Sequence, residues 1–174
     1  IKAVEDKNHS ENLSKVLYPD DTTQMGRELR LRQEYFFVSA SIQDILRRYM
    51  EYHDDIRGLP DKVAIQLNDT HPALAIPELI RLLQDHYHLL WAEAWDMTVR
   101  IFGYTNHTLL PEALETWPVW LFEKLLPRHL LVIYEINHHF LKEVSHHYPG
   151  DMDALRRMSI IGEEGEKHIR MGHL

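Results

Sequence analysis

Apolar side chains recur at helical spacing through a long stretch in the first third of the chain. The repeat comprises Leu31, Tyr35, Val38, Ile42, Ile45 and Tyr49. Because residues three and four positions apart share a helix face, this repeat predicts an amphipathic helix over residues 27–49. The charged and amide side chains between these positions are expected to face solvent. A polar segment at 51–61, with Gly58 and Pro60, predicts the end of the helix.

Two short segments show the pattern of β-strands. Apolar and polar residues alternate at 63–67, and a second candidate strand lies at 99–105. Between them, the apolar spacing predicts two helices, over residues 78–88 and 91–98. The order strand, helices, strand predicts a βαβ unit, in which a right-handed crossover joins two parallel strands.

The other predicted elements are helical. They are a short helix near 10–17, a helical turn at 111–115, and helices over 119–125 and 127–147. The tail is weakly patterned. The predicted fold class is therefore α/β and rich in helix. Since two strands do not make a self-sufficient sheet, the remaining strands are expected to lie outside this chain.

The composition argues against several classes of function. A net charge of −8 over 174 residues, without a block of like charges, argues against a nucleic-acid partner. The absence of cysteine excludes disulfides and thiolate metal sites. No apolar run approaches the ~18 residues of a membrane helix, and no signal-peptide pattern is present. We therefore expect a cytoplasmic protein, and we interpret the N-glycosylation patterns as chance matches; they begin at Asn8, Asn12, Asn68 and Asn106.

Polar residues follow both predicted strands. Asp69 and His71 come after the first strand, and Asn106 and His107 come after the second. Ligands bind outside the carboxyl ends of parallel strands, so neighbouring strands would bring these side chains to one rim. Glu115 follows closely enough to return a carboxylate there. Such groups can read sugar hydroxyls, which predicts a polar ligand site; taken singly, Asp69, Thr70 and Asn106 are also explained as capping residues.

A metal site on the helix 127–147 is a weaker alternative. The candidate ligands are Glu135, His139, Glu143, His146 and His147. No HExxH motif is present, and paired histidines are typical of a solvated helix face.

Two further alternatives concern carboxylates and arginines. A glycosidase needs two carboxylates across the scissile bond, roles open to Asp69 and Glu115, but nothing in their spacing supports the separation required. The pair Arg47-Arg48 either binds a phosphate or is simply placed favourably at a helix C-terminus.

Several runs, in order along nearly the whole chain, resemble the α-glucan phosphorylases, the glycogen and starch phosphorylases, and among them the bacterial glycogen phosphorylases. The runs are ENLSKVLYP (11–19), GRELRLRQEYF (26–36), LNDTHP (67–72), IPEL (76–79), YTNHT (104–108), PEALE (111–115), LPRHL (126–130) and EIN (135–137). The resemblance implies a retaining glycosyltransferase with two Rossmann-like domains of the GT-B type. Such an enzyme cleaves α-1,4-glucan ends with inorganic phosphate to give glucose 1-phosphate.

The resemblance also implies which parts are absent. The family's cofactor, pyridoxal phosphate, forms a Schiff base with a lysine of the C-terminal domain, and no lysine here lies in a matching context. We therefore expect residues 1–174 to be an internal segment of the N-terminal glucan-binding domain, inactive alone, from a homodimeric parent. Open strand edges predict that the segment self-associates. The rival hypothesis is a non-catalytic carbohydrate-binding or interaction module.

By position, the resemblance assigns roles to individual residues. Asp21 and Thr22 fall on the loop that gates the catalytic cleft; mammalian enzymes carry Asn where Thr22 stands. His107 matches the residue that contacts the sugar through its side chain and carbonyl. The residues that match the pocket beside the glucosyl ring are Asp69, His71 and Glu115, and those that match a nucleotide site of regulated animal enzymes are Arg47 and Arg48.

Overall fold

The computed structural model describes residue 11, residues 13–17 and residues 19–174. The predicted helix near 10–17 lies partly outside this range, and residues 11 and 13–15 are helical. The other helices are α1 Gln24–Met50, α2 Ala75–Asp85, α3 Trp91–Ile101, α4 Val119–Leu125, α5 Pro127–His147 and α6 Met152–Met158. Short 3-10 turns span Ile56–Asp61, Pro111–Ala113 and Met171–His173. The strands are β1 Ile65–Asn68, β2 Phe102–Thr105, β3 Thr116–Pro118, β4 Ile161–Gly162 and β5 His168–Arg170.

The first sheet is the predicted parallel pair. Strand β1 pairs with β2 from Ile65 opposite Phe102 to Asn68 opposite Thr105. The connection runs through α2 and α3, which confirms the strand–helices–strand order. Within the described ranges this sheet has two strands, so each keeps one open edge. The handedness of the crossover stays a prediction.

The second predicted strand is too long at its start. Residues 99–101 belong to α3, whose last turn closes when the N–H of Phe102 bonds to the carbonyl of Thr98. The hydroxyl of Thr98 donates back to the carbonyl of Ala94 at 2.7 Å, so a β-branched residue is held within the helix. Strand β2 therefore begins only at Phe102.

The tail forms structure that the pattern missed. Strands β3, β5 and β4 make a small antiparallel sheet with β5 in the centre. Segments of two or three residues are too short to show alternation, and this explains the omission. The result is a mixed α/β architecture, rich in helix, with two small sheets.

Helix α2 lies at the centre of the core. It packs against α1, α3 and α5, and Leu79, Ile80 and Leu83 are almost fully buried. Helix α1 presents the predicted stripe to this core, but Leu46 is buried while Ile45 is only half-buried. No helix of the described residues combines the length and apolarity required to cross a membrane.

One polar network crosses this core. The carboxylate of Glu78, fully buried on α2, accepts from the Ser39 hydroxyl at 2.7 Å and lies 2.6 Å from Nε2 of His129. Two guanidinium nitrogens of Arg81 donate to it, at 2.8 and 2.9 Å. The network ties α1, α2 and α5 together through one charged group.

Candidate functional site

The predicted rim forms where the parallel strands end. The backbone N–H of Asp69 donates to the carbonyl of Thr105 at 2.8 Å, so the two chains leave the sheet side by side. Asp69 has a φ of 67°, a conformation that few residues other than glycine adopt. Its carboxylate accepts from the N–H of Thr70 at 2.7 Å, which fixes the turn.

The polar residues after β1, Asp69 and His71, have different surroundings from Asn106 and His107 after β2. His71 is half-buried and lines a cavity of about 210 Å³ together with Arg30 and Glu34 of α1. The amide of Asn106 closes its own loop: Oδ1 accepts from the N–H of Thr108 at 3.0 Å, and Nδ2 donates to the carbonyl at 2.8 Å. This geometry favours the turn-forming interpretation of Asn106. His107 is exposed beside it.

Arg30 of α1 organises the acidic side chains near this rim. Its Nη1 lies 2.5 Å from Asp21, its Nη2 lies 3.0 Å from Glu115, and its Nε lies 3.2 Å from Glu34. These four residues are called the Arg30 cluster below. They connect α1 with the loop before it and with the segment before β3. The structure therefore brings Asp21 and Glu115 together, although 94 positions of sequence separate them.

The cluster holds more negative charge than one guanidinium neutralises. The side chains of Glu34 and Glu115 are only 11% and 9% exposed. Burial, together with the negative charge of Glu115, raises the pKa of Glu34 to about 9, and Arg30 opposes this effect. Among the described residues, one oxygen of each glutamate has no hydrogen-bond partner, and neither has the indole N–H of Trp117.

Tyr104 connects the cluster to the strand ends. Burial raises the pKa of the Tyr104 phenol, and the negative charges of Asp69 and Glu115 raise it further. The carboxylates that follow β1 and precede β3 thus act on the same hydroxyl at the end of β2. The 3-10 turn at Met171–His173 adjoins this region, since the N–H of Met171 donates to the carbonyl of Glu115 at 3.1 Å.

The sequence pattern missed Arg30 and Glu34 as site residues. It placed them on the solvent face of the first long helix, and this prediction is wrong because both are half-buried or nearly buried. The one feature of the sequence that points to Arg30 and Glu34 is their spacing of four positions, which is typical of an ion pair on a helix. A charge pair on a surface helix gives the same signal, so only the fold separates the two cases.

The remaining candidate residues make hydrogen bonds or ion pairs with neighbours that are close in sequence. Thr22 is exposed, and its N–H donates to Asp20 at 3.0 Å within the loop. Arg47 and Arg48 are exposed and both pair with Asp44, as expected at a helix C-terminus. His139 pairs with Glu135 at 3.1 Å. Among residues 11, 13–17 and 19–174, no group of three or more histidine or carboxylate side chains is arranged so that it could hold a metal ion.

Comparisons with known proteins agree with the motifs. A family model described as carbohydrate phosphorylase matches residues 1–174. The chain is 58% identical to the muscle forms of glycogen phosphorylase from Rattus norvegicus and Homo sapiens over 182 aligned positions. It is also 58% identical to glycogen phosphorylase from Haemophilus influenzae over 174 positions.

These alignments cover the whole chain but a small part of each relative. The chain spans 22% of the length of the muscle forms and 21% of the Haemophilus influenzae protein. Equal identity to animal and bacterial relatives does not separate the two groups.

Proposed function

Since the chain belongs to the carbohydrate phosphorylase family, we propose that it is an internal segment of the N-terminal glucan-binding domain of a glycogen phosphorylase. The full-length enzyme would have two Rossmann-like domains of the GT-B type and act as a dimer. It would cleave α-1,4-glucan ends with inorganic phosphate to give glucose 1-phosphate. Identity of 58% along the entire chain to relatives named glycogen phosphorylase carries this proposal.

In this proposal the rim binds the terminal glucosyl unit. His107 contacts the sugar, and its exposure beside the strand ends is consistent with that task. The pocket beside the ring is formed by Asp69, His71, Asn106 and Glu115. Asn106 would act through its loop rather than its amide, since the amide is already bonded to Thr108.

Asp21 and Thr22 form the gate loop of the proposed cleft. The ion pair between Asp21 and Arg30 at 2.5 Å ties this loop to α1. The loop would open by releasing that contact. Loops that close over a site commonly exclude water and complete the site.

The described residues do not fit a pyridoxal phosphate site. A Schiff-base lysine requires an enclosed pocket, whereas Lys15, Lys62, Lys124, Lys142 and Lys167 are all exposed. Lys124 pairs with Glu28 at 2.6 Å, on the outside of the helices. In this proposal the cofactor lysine and the groups that bind substrate phosphate belong to another part of the full-length enzyme.

Phosphorolysis assays on the full-length protein test the proposal. We expect glucose 1-phosphate to form from an α-1,4-glucan and phosphate, and His107→Ala to lower kcat/KM by roughly 100-fold. Exposed His146→Ala is the matched control and should leave the rate unchanged. The 174-residue segment alone should show neither activity nor the absorbance of bound pyridoxal phosphate. A full-length protein without phosphorolysis would refute the assignment, and a segment that retained cofactor through dialysis would refute its placement.

A further inference from the structure

The Arg30 cluster leaves two buried oxygens without donors. Arg30 Nε is 3.2 Å from Oε1 of Glu34, and Nη2 is 3.0 Å from Oε2 of Glu115. The other oxygen of each group, Oε2 of Glu34 and Oε1 of Glu115, finds no donor among the described residues. A buried acceptor without a donor costs about 1–3 kcal/mol, and more when it is charged.

The two carboxyl groups bind the same guanidinium. The negative charge of Glu115 adds to burial in raising the pKa of Glu34, and protonation of one group would allow a hydrogen bond between the two. Two ionised carboxylates cannot form such a bond, because both are acceptors only. A single proton supplies the missing donor and removes one of the buried negative charges.

We propose that Glu34 is a positioning residue that holds a proton at neutral pH and donates it in a hydrogen bond to Glu115, so that Arg30 faces two ionised carboxylates, Glu115 and Asp21, instead of three. In this arrangement Oε1 of Glu34 accepts from Arg30, and the protonated Oε2 donates to Oε1 of Glu115. All four carboxyl oxygens then have a partner.

The surrounding groups are consistent with one retained proton. Arg30 is the cation in contact with the pair, and Asp21 shares it from the loop side. From β2, the phenol of Tyr104 experiences the charges of Glu115 and Asp69. From the end of β1, His71 lines the cavity that Glu34 also lines. The ring of Trp117 on β3 lies 6.0 Å from the guanidinium carbon, a cation–π contact.

The proton has a consequence for the gate loop. When Glu34 is neutral, Asp21 competes with one buried carboxylate for Arg30; when Glu34 is ionised, it competes with two. Loss of the proton should therefore weaken the hold on the loop. This last step rests on the proposed function, whereas the shared proton itself does not.

Infrared spectroscopy of the full-length protein tests the proton directly. A protonated carboxyl absorbs apart from ionised carboxylates. We expect such a band at neutral pH, its loss as the pH rises through the raised pKa of Glu34, and its absence from Glu34→Gln. The matched control Glu123→Gln, at an exposed position of α4, should keep it. If wild type shows no band that titrates in this range, the proposal is wrong whatever the variants do.

Kinetic measurements then distinguish a positioning role of Glu34 from a purely structural one. Gln at position 34 can both accept from Arg30 and donate to Glu115, so Glu34→Gln should retain more of the neutral-pH phosphorolysis rate than Glu34→Ala and should flatten the alkaline decline of that rate. Glu34→Ala should lower kcat/KM by up to roughly 100-fold. A Glu34→Gln profile identical to wild type at every pH would overturn the role. Failure of wild type to phosphorolyse would refute the proposed function and leave the infrared result standing.

Discussion

Two buried glutamates of this chain have opposite titration behaviour. Burial acts to raise the pKa of both. For Glu78, hydrogen bonds from Arg81, His129 and Ser39 outweigh that effect and hold the pKa at about 2. For Glu34, burial and the charge of Glu115 prevail over Arg30, and the pKa rises to about 9.

The number of donors around each carboxylate explains the contrast. Both oxygens of Glu78 are bonded, and the network joins three helices of the core. The Arg30 cluster has three carboxyl groups around one guanidinium. A satisfied buried charge is typical of a scaffold, whereas an unbalanced one at a cavity is typical of a functional site. The Glu78 network therefore stabilises the fold of the segment, whereas the Arg30 cluster belongs to the candidate functional site.

The largest effect on stability is expected from a change in the Glu78 network. Glu78→Gln leaves Arg81 with a neutral partner inside the core and should lower the free energy of unfolding by about 3–5 kcal/mol. Glu123→Gln is the exposed control and should change it little. Guanidinium unfolding of the three proteins provides the measurement. A cost for Glu78→Gln no greater than that of the control would show that the network is not a scaffold.

The pH dependence of stability should differ in sign between the two glutamates. The pKa of Glu78 is about 2 in the folded protein, below the ordinary glutamate value of 4.5. Its contribution is therefore present above pH 4.5 and is lost as the pH falls toward 2. The pKa of Glu34 is raised from 4.5 to about 9, so stability falls as the pH rises through that window. One proton gives a slope of at most about 1.4 kcal/mol per pH unit.

Measuring the free energy of unfolding across pH for Glu78→Gln and Glu34→Gln separates the acid and the alkaline part of the stability curve. Glu78→Gln should remove the acid limb alone, and Glu34→Gln the neutral-to-alkaline limb alone. Loss of the same limb in both variants would contradict the contrast between the two sites.

The smallest effect is expected for the exposed arginines at the end of α1. Arg47 is exposed and pairs with Asp44 and Glu51. Surface ion pairs contribute about 0–1 kcal/mol, so Arg47→Ala should change the unfolding free energy by no more than that. The same substitution should leave phosphorolysis unaffected. A nucleotide-dependent change in activity that Arg47→Ala abolishes would instead support the nucleotide site that the resemblance suggested.

The sequence predicted the long elements well for a physical reason. Helices α4 and α5 begin and end where the pattern placed them, because Pro127 marks the start of α5 and Pro149 follows its end. The parallel pair β1–β2 followed from the order of the elements. The antiparallel sheet at the end of the chain was missed, because its strands gain their stability from long-range pairing rather than from a local pattern.

Only part of the candidate site could be predicted from the sequence. Residues at strand ends could be proposed, because topology brings such ends together. Arg30 and Glu34 could not, because nothing local distinguishes their spacing from a solvated helix face. Their role depends on Glu115, which reaches them through tertiary packing.

One paired measurement tests the separation of scaffold and site most directly. Phosphorolysis rate and unfolding free energy are determined together for Glu115→Gln and Glu78→Gln in the full-length protein. Glu115→Gln should lose activity with little loss of stability. Glu78→Gln should lose stability, while the molecules that remain folded keep their rate. Equal losses of both properties in the two variants would contradict this separation.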